Sequence, residues 1–233
     1  TIDMGDSGSL TFYGSAGSTS LSLMDDTTPT AGEEAWDDVS GATAHNYGAT
    51  GLDTFSYTNS SLMDGVTIGL DYIPSDGQDQ IESSTHMTVK YTGIDGLTIG
   101  AGMGEDNGEG PADADEVTAF NVTYAMDAVS VGFSSFEVDT NASTNSTAGT
   151  THVGDTTLTA MGISYAVSDD LSVSLNSSET EIQGLVDQEA MGISASLVIG
   201  SMTLKANHNS VENVGGTEGK DRSGYAMGLS FAF

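Results

Sequence analysis

The chain has 233 residues, of which 34 are acidic and only 4 are basic, so its formal net charge is −30. Because phosphate binding requires clustered lysine or arginine, this charge balance argues against a nucleic-acid partner. The sequence has no cysteine, 30 glycines and 3 prolines, and no apolar run approaches the roughly 18 residues of a membrane-spanning helix. We therefore expect an all-β chain that forms one domain, residues 1–233, and is held together without disulfides.

The first long feature along the chain is the stretch 6–53, which lacks a strand pattern and contains no lysine or arginine. A strand-like start precedes it, with Ile2 and Met4 on one face, and a second strand pattern follows it, with Phe55 and Tyr57 on one face. A structureless connection of this length is uncommon inside a compact domain and is usually either functional or disordered. We interpret it as a loop that folds into the lumen of a β-barrel and constricts it. The carboxylates assigned to this constriction are Asp25, Asp26, Glu33, Glu34, Asp37 and Asp38.

From residue 55 onward, apolar side chains alternate with glycine, serine, threonine and asparagine, and this period of two predicts strands with one apolar face. In the strand 66–72, for example, the apolar residues share one face while Thr67, Gly69 and Asp71 share the other. With the N-terminal stub, we count twelve strands. The predicted hairpins are 55–59 with 66–72, 85–91 with 97–103, 120–124 with 129–133, 161–165 with 171–175 and 191–197 with 202–206, and a last strand is 225–233.

Strand length and loop pattern together predict a transmembrane antiparallel β-barrel. Each strand has about 8–11 residues, the length needed to cross a bilayer at a tilt. Short turns alternate with long polar loops, as in outer-membrane barrels. Tyr91, Tyr124 and Tyr165 each precede a short turn, where an aromatic girdle would lie. The strands of a soluble β-sandwich also alternate apolar and polar side chains, but the outward face of such a sandwich usually carries many lysines and glutamates.

Titratable side chains opposite the apolar face are expected to line the lumen, and these are Asp71, His86, Lys90 and Lys205. A lysine facing lipid near the middle of the membrane would cost about 2–4 kcal/mol, which agrees with this assignment. Lys90 could instead extend from its strand end toward water. Trp36, within the acidic stretch, either buries its ring against the barrel wall or faces solvent at the rim.

Three stretches resemble the trimeric general porins of Gram-negative bacteria, most closely the type known from purple phototrophic α-proteobacteria. Thr1–Asp6 is similar to the strand end that opens the third external loop of these porins, which constricts their pore. Asp64–Tyr72 is similar to their hairpins. The ending Gly228–Phe233 resembles the signal that the barrel-assembly machinery reads, with Phe231 and Phe233 on one face.

The resemblance implies an outer-membrane porin, a water-filled channel through which small hydrophilic solutes and ions diffuse. It further implies a homotrimer in contact with outer-membrane lipid and lipopolysaccharide, with 6–53 as the constriction loop. These porins have sixteen strands, so we expect four strands and the start of a fifth to precede this chain. A closed twelve-stranded barrel with a frayed first strand is the alternative.

The constriction loop of these porins faces a cluster of arginine and lysine on the opposite wall. Here that basic cluster is nearly absent, so either preceding strands supply it or the pore prefers cations. The crowded carboxylates of the acidic loops could bind Ca²⁺, which takes oxygen ligands, or could hold only a diffuse cation cloud.

The sequence shows no catalytic constellation, and we expect no enzyme activity. His45, His86, His152 and His208 are scattered, and no serine stands out as a nucleophile. Two other classes of protein stay open as alternatives. One is an acidic, Ca²⁺-dependent extracellular β-protein, and the other is an outer-membrane barrel with a structural or adhesive role.

Overall fold

The computed structural model describes residues 1–14, 19–24, 27–43, 53–75, 83–106, 115–140 and 155–232. Within these ranges the chain forms thirteen β-strands and three short 3₁₀ turns, and the order of the strands in the sheet follows their order in the sequence. No helix in the described ranges is both long enough and apolar enough to span a membrane. The strands are β1 (Ile2–Asp3), β2 (Ser9–Tyr13), β3 (Thr54–Met63), β4 (Val66–Ile73), β5 (Ser84–Ile94), β6 (Leu97–Asp106), β7 (Asp115–Met126), β8 (Val129–Thr140), β9 (Thr156–Ala166), β10 (Leu171–Ile182), β11 (Gln188–Ile199), β12 (Met202–Glu212) and β13 (Arg222–Phe231).

The chain divides into two compact units, each with a hydrophobic cluster of its own. Leu21 and Met24 pack with strand residues in the cluster of the first unit, and Trp36 and Val39 do so in the second. The first unit comprises Thr1–Asp25, Asn46–Asn121 and Phe136–Thr156, and the second comprises Asp26–His45, Val122–Ser135 and Thr157–Phe233.

The strands expose apolar side chains on one face and bury polar side chains on the other. In β10, Val173 and Leu175 are exposed, whereas Asn176 and Thr180 are buried. A sheet that is stable in water does the reverse, because the hydrophobic effect drives its apolar face into a core. An apolar outer face and a polar inner face are typical of strands that are surrounded by lipid. The predicted alternation is therefore confirmed, and it is that of a membrane sheet rather than a soluble sandwich.

The strands from β3 to β13 have eight to twelve residues, close to the length expected for crossing a bilayer. The predicted short turns are present, and their backbones enter the left-handed region at Gly65, Gly96, Asp127 and Gly200. Glycine adopts this conformation without a steric penalty, and aspartate tolerates it. Longer connections alternate with these turns, as predicted; the connection 183–187 is the shortest of them.

One strand was not predicted, and it changes the boundaries of the long loop. Ser9–Tyr13 forms β2, which pairs with β1 and with β3, so the described residues contain thirteen strands rather than twelve. Leu10 and Phe12 give this strand an apolar face, but two residues are too few to be recognised as an alternating pattern in the sequence. Phe12 packs on Phe55, with ring centroids 5.0 Å apart. Asp6 therefore lies in a short 3₁₀ turn between β1 and β2 and does not open the long connection. That connection begins after Tyr13 and ends before Thr54.

Candidate functional site

The part of the long connection that lies in the second unit, residues 27–43, is called the acidic segment below. It is held against the polar face of the strands by side-chain amides and hydroxyls. Asn209 Nδ2 donates to the backbone carbonyls of Glu34 and Asp37, at 2.8 Å each. Ser174 Oγ accepts the backbone N–H of Ala31 at 2.9 Å. Because buried backbone groups need partners, these contacts let an irregular segment lie on a sheet without loss of hydrogen bonds.

The C-terminal end of the acidic segment is fixed by a buried glutamine. Gln188 Oε1 accepts the backbone N–H groups of Thr43 and Gly215, and its Nε2 donates to the carbonyl of Thr43. Arg222 Nη1 donates to the carbonyl of Ser40 at 2.6 Å. One glutamine thus joins β11, the acidic segment and the connection that follows β12.

Trp36 anchors the acidic segment by packing. Its side chain is only 6% exposed and lies in a cluster of buried apolar residues. The interpretation in which the ring is buried is therefore correct, and the one in which it faces solvent at the rim is wrong. The other members of this cluster are Ala35, Val39, Leu158, Ala160, Ala190, Val211 and Val214.

Four of the six predicted constriction carboxylates lie in the acidic segment, and their environments differ. Glu33 and Asp38 are exposed, Asp37 is half-buried and Glu34 is buried. Glu34 accepts a hydrogen bond from Thr28 Oγ1 at 3.3 Å. Asp25 and Asp26 lie outside the described residues.

Three of these carboxylates are close enough to share a cation. Oxygens of Glu33, Glu34 and Asp37 lie within 4.8 Å of one another. Oxygen ligands of this kind suit Ca²⁺, which normally takes 6–8 of them. Among the described residues, these are the ones that could hold a metal ion.

Lys205 lies in a cavity with three of the acidic side chains. The cavity measures about 500 Å³, and its lining includes Glu33, Asp37, Asp38 and Lys205. Asn207, two residues along β12, also lines it and donates to Asp38 Oδ2 at 3.1 Å. The structure therefore brings the predicted lumen lysine and half of the predicted constriction carboxylates into one space.

In the first unit, Ser20 is bound to Asp71, which lies beside His86. Ser20 donates to Asp71 Oδ2 through both its backbone N–H and its hydroxyl, at 2.6 Å each. His86 is directly opposite Asp71 in the β4–β5 register, and His86 Nδ1 is 4.0 Å from Asp71 Oδ2. Both side chains are at least nine-tenths buried. Since Ser20 donates to the carboxylate and not to the imidazole, this arrangement anchors the segment and does not reproduce a serine–histidine nucleophile pair.

Residues 19–24 also pack into the first hydrophobic cluster, where Leu21 and Met24 are buried with Val117, Ala119 and Phe136. A glycine makes this approach possible. A Cβ at Gly102 would lie 2.8 Å from both Leu21 Cδ1 and Met24 Sδ. Such inward glycines were not predicted as contact sites, although their place opposite the apolar face was a usable signal.

Of the remaining predicted site residues, the two that the structure describes, Lys90 and Phe231, are not part of these clusters. Lys90 is exposed on β5, opposite Thr67 and Gly100 in the two neighbouring strands. Phe231 is exposed at the end of β13, opposite Met202. Phe233 lies outside the described residues.

Comparisons by sequence and by structure give different results. No family model and no curated protein matches the chain. Solved structures do match it over nearly its whole length. A porin refined at 1.8 Å resolution has a TM-score of 0.73 at 16% identity, with 98% of this chain and 79% of that chain covered.

Two further matches support the same fold. The anion-selective porin from Comamonas acidovorans has a TM-score of 0.71 at 14% identity, and covers 98% of this chain and 75% of its own. A loop-deletion mutant of OmpT, an outer membrane protein of Vibrio cholerae, has a TM-score of 0.61 at 13% identity, with 96% and 75% covered. At such identities the likeness establishes the fold, which is an all-β chain of the transmembrane porin type.

Proposed function

We propose that this chain forms a water-filled channel in the outer membrane, through which small hydrophilic solutes and ions diffuse passively. The observation that carries the proposal is the acidic segment fastened to the polar face of a sheet whose other face is apolar. A polar face turned away from lipid can line water, and a charged segment held on it can select what passes.

We further propose that the channel prefers cations. Three carboxylates and one ammonium line the cavity around Lys205, so its local charge is negative, like that of the whole chain. A confined carboxylate attracts a cation more strongly than one on an open surface, because less water and salt screen it. The Comamonas protein is described as anion-selective, so we argue selectivity from the charges of this chain and not from the fold.

The assembly of the proposed channel follows the resemblance to general porins of the α-proteobacterial type. We propose a homotrimer in contact with outer-membrane lipid and lipopolysaccharide. The C-terminal strand, with Phe231 and Phe233, would be the part that the barrel-assembly machinery recognises. A porin-like trimer is supported by a solved trimer form of the Vibrio cholerae OmpT, which has a TM-score of 0.53 to this chain.

The test of selectivity is the reversal potential in a planar bilayer under a KCl gradient. A variant with Glu33→Gln, Asp37→Asn and Asp38→Asn should lose much of the preference for K⁺ over Cl⁻. Glu34 is left unchanged because it is buried, and its replacement could unfold the segment. The difference from the unmodified protein should be larger in 0.1 M than in 1 M salt, since the Debye length falls from about 10 Å to about 3 Å.

A matched control removes three charges from the short turns, through Asp64→Asn, Asp95→Asn and Asp127→Asn. These residues lie in short turns and do not line the cavity around Lys205, so the control should keep the reversal potential of the unmodified protein. An anion-selective unmodified protein would contradict the proposed preference. Equal shifts in the two triple variants would show that overall charge, and not the acidic segment, sets selectivity.

A further inference from the structure

The outer face of β10, β11 and β12 carries a row of carboxylates at the strand ends that meet the long connections. Glu179 on β10, Glu189 on β11 and Glu212 on β12 are directly opposite one another in the register. All three are exposed, on the same face as Leu175 and Ile193. Like charges in directly opposite positions destabilise a sheet, so a positively charged partner bound at this row would stabilise it.

Polarity changes in steps from this row toward the middle of the strands. Two residues further in, which is roughly 7 Å along a strand, Ser177 and Ser210 flank Met191 in the register. The row after that consists of Leu175, Ile193, His208 and Tyr225. The outer face is therefore ordered as a carboxylate row, a hydroxyl row and a largely apolar surface.

A cavity of about 370 Å³ extends across the first two rows, which is within the roughly 300–1,000 Å³ typical of small-molecule sites. Its lining includes Glu179, Glu189, Glu212, Ser177, Ser210 and Met191. Within β9–β12, all of which the structure describes, no lysine or arginine lies on the outer face, because Lys205 is on the polar face. The cavity thus offers carboxylates to a cation and hydroxyl donors to an anion, but no basic side chain.

The first unit has a cavity with the same combination of groups. This cavity measures about 720 Å³. Its lining includes Glu105, Glu116, Thr85, Thr118, Met87 and Met103, all of which are exposed. These residues also belong to strands β5, β6 and β7 near the ends that meet long connections. Carboxylates, hydroxyls and methionines therefore occur together on the outer face of each unit.

The kind of occupant follows from the surroundings of this face, which in a transmembrane sheet are lipid. A zwitterionic phospholipid presents an ammonium group at its outer end, then a phosphate, then acyl chains. These three parts match, in the same order, the carboxylate row, the hydroxyl row and the apolar surface. An anionic lipid would instead place its phosphate near three carboxylates, with no positive charge to offset the repulsion.

We propose that the cavity across β10, β11 and β12 binds the headgroup of a lipid with a primary ammonium next to its phosphate, as in phosphatidylethanolamine. The ammonium, which has three N–H donors, pairs with the three glutamates. The phosphate accepts hydrogen bonds from Ser177 and Ser210, and the acyl chains cover the apolar surface. This inference goes beyond the proposed channel, since it concerns the outer face of the sheet and not the pore.

The experiment is a competition between dioleoyl-phosphatidylethanolamine and dioleoyl-phosphatidylglycerol, which share chains and phosphate but not the ammonium. The detergent-purified protein is mixed with equal amounts of both lipids in EDTA, and the bound lipids are counted by native mass spectrometry. The unmodified protein should bind more of the ethanolamine lipid. The variant with Glu179→Gln, Glu189→Gln and Glu212→Gln should lower the ratio of ethanolamine to glycerol lipid roughly two- to fivefold, the range for exposed ion pairs. The cavity of the first unit is unchanged in this variant, so part of the preference should remain.

Two further variants make the result specific. The variant with Asp64→Asn, Asp95→Asn and Asp127→Asn removes the same charge from short turns that line neither cavity, and it should keep the ratio. The variant with Ser177→Ala and Ser210→Ala removes donors to the phosphate, which both lipids have. Both lipids should therefore bind less to the serine variant, while their ratio stays the same.

A ratio near one for the unmodified protein, an unchanged ratio in the glutamine variant or an equal fall in the short-turn variant would overturn the inference. Stronger binding of the glycerol lipid when Ca²⁺ replaces EDTA would show that the carboxylates take a cation-bridged anionic phosphate, which also contradicts it. Because the measurement needs no ion conduction, each of these outcomes leaves the proposed channel untouched. Failure of the unmodified protein to conduct any salt would instead overturn the channel alone.

Discussion

At the scale of single residues, neutral amides supply most of the side-chain hydrogen bonds to the backbone carbonyls of the acidic segment, and Arg222 supplies one, at Ser40. Asn209 and Gln188 donate to backbone carbonyls of the segment, and neither adds a charge beside Glu33 or Asp38. An arginine or lysine in the same positions would bind the carbonyls equally well but would cancel part of the negative potential. The amides therefore separate two tasks, since they fix the backbone and leave the exposed carboxylates to act on solutes.

Replacing Asn209 with alanine should loosen the acidic segment. The change removes the partners of two carbonyls in a buried setting, at about 1–3 kcal/mol for each group left unsatisfied. The only tryptophan in the chain, Trp36, is buried in the same segment and reports on it. We expect a red shift of its fluorescence and larger fluctuations of single-channel current.

The matched control is Asn207→Ala, which removes one hydrogen bond to the exposed side chain of Asp38 and none to the backbone. Its tryptophan emission should stay close to that of the unmodified protein. If Asn209→Ala also leaves both the emission and the current noise unchanged, the amide is not what positions the segment.

At the scale of elements, glycines on the inner face of the strands leave room for parts of the long connection to pack closely against the sheet. Gly102 admits Leu21 and Met24, and Gly162 admits the backbone of Pro29. In both places a Cβ would come closer than an ordinary van der Waals contact to the docked residue. Strand glycines usually weaken a sheet, and here the close approach of a second segment compensates for that loss.

Valine at position 102 should displace residues 19–24. Filling an occupied space with a larger side chain typically costs about 1–3 kcal/mol. We expect Gly102→Val to lower the unfolding temperature in detergent, as followed by circular dichroism. The control, Ala101→Val, adds two carbon atoms rather than three, at the neighbouring residue on the exposed apolar face, and should leave the transition nearly unchanged. Equal unfolding temperatures in the two variants would show that the packing of residues 19–24 does not depend on the missing side chain at position 102.

At the scale of the whole molecule, the exposed apolar face determines the environment in which the chain is stable. Large apolar side chains remain exposed on strands of both units, among them Met87, Ile163, Leu175 and Leu229. Such a surface favours lipid or detergent over water, because burial of apolar area is the main driving force of folding and association. The net charge of −30 is shared among the loops, the turns, the polar face and the strand ends, where Glu179, Glu189 and Glu212 are exposed on the outer face.

The purified protein should require detergent and migrate as a folded oligomer on a gel in dodecyl sulfate until it is heated. A sheet whose backbone hydrogen bonds are formed between its own strands resists this detergent. Heating then unfolds the protein, and its band should move to the position of the unfolded monomer. The circular dichroism spectrum should be dominated by β-strand. A monomer that is fully soluble without detergent would contradict a membrane sheet.

The sequence by itself determined the strands, the short turns and the acidic stretch. Alternation of period two is a local property, so the apolar face of β10 and the turns at Gly65 and Gly96 could be assigned without knowledge of contacts. The place of Lys205 on the polar face followed from the same parity. β2 was missed because five residues carry too little alternation, and its pairing with β1 and β3 stabilises it.

Only the tertiary structure decided which residues form hydrogen bonds with the backbone of the acidic segment. Asn209 and Glu34 are 175 positions apart, and Ser174 and Ala31 are 143 apart, so their contacts depend on strand register and not on local pattern. Asparagine and serine are common on the polar face, and nothing in the sequence distinguishes those that donate to the segment from those that do not. The burial of Trp36 was undecided for the same reason, since an aromatic ring in a loop is buried only if the fold places apolar neighbours around it.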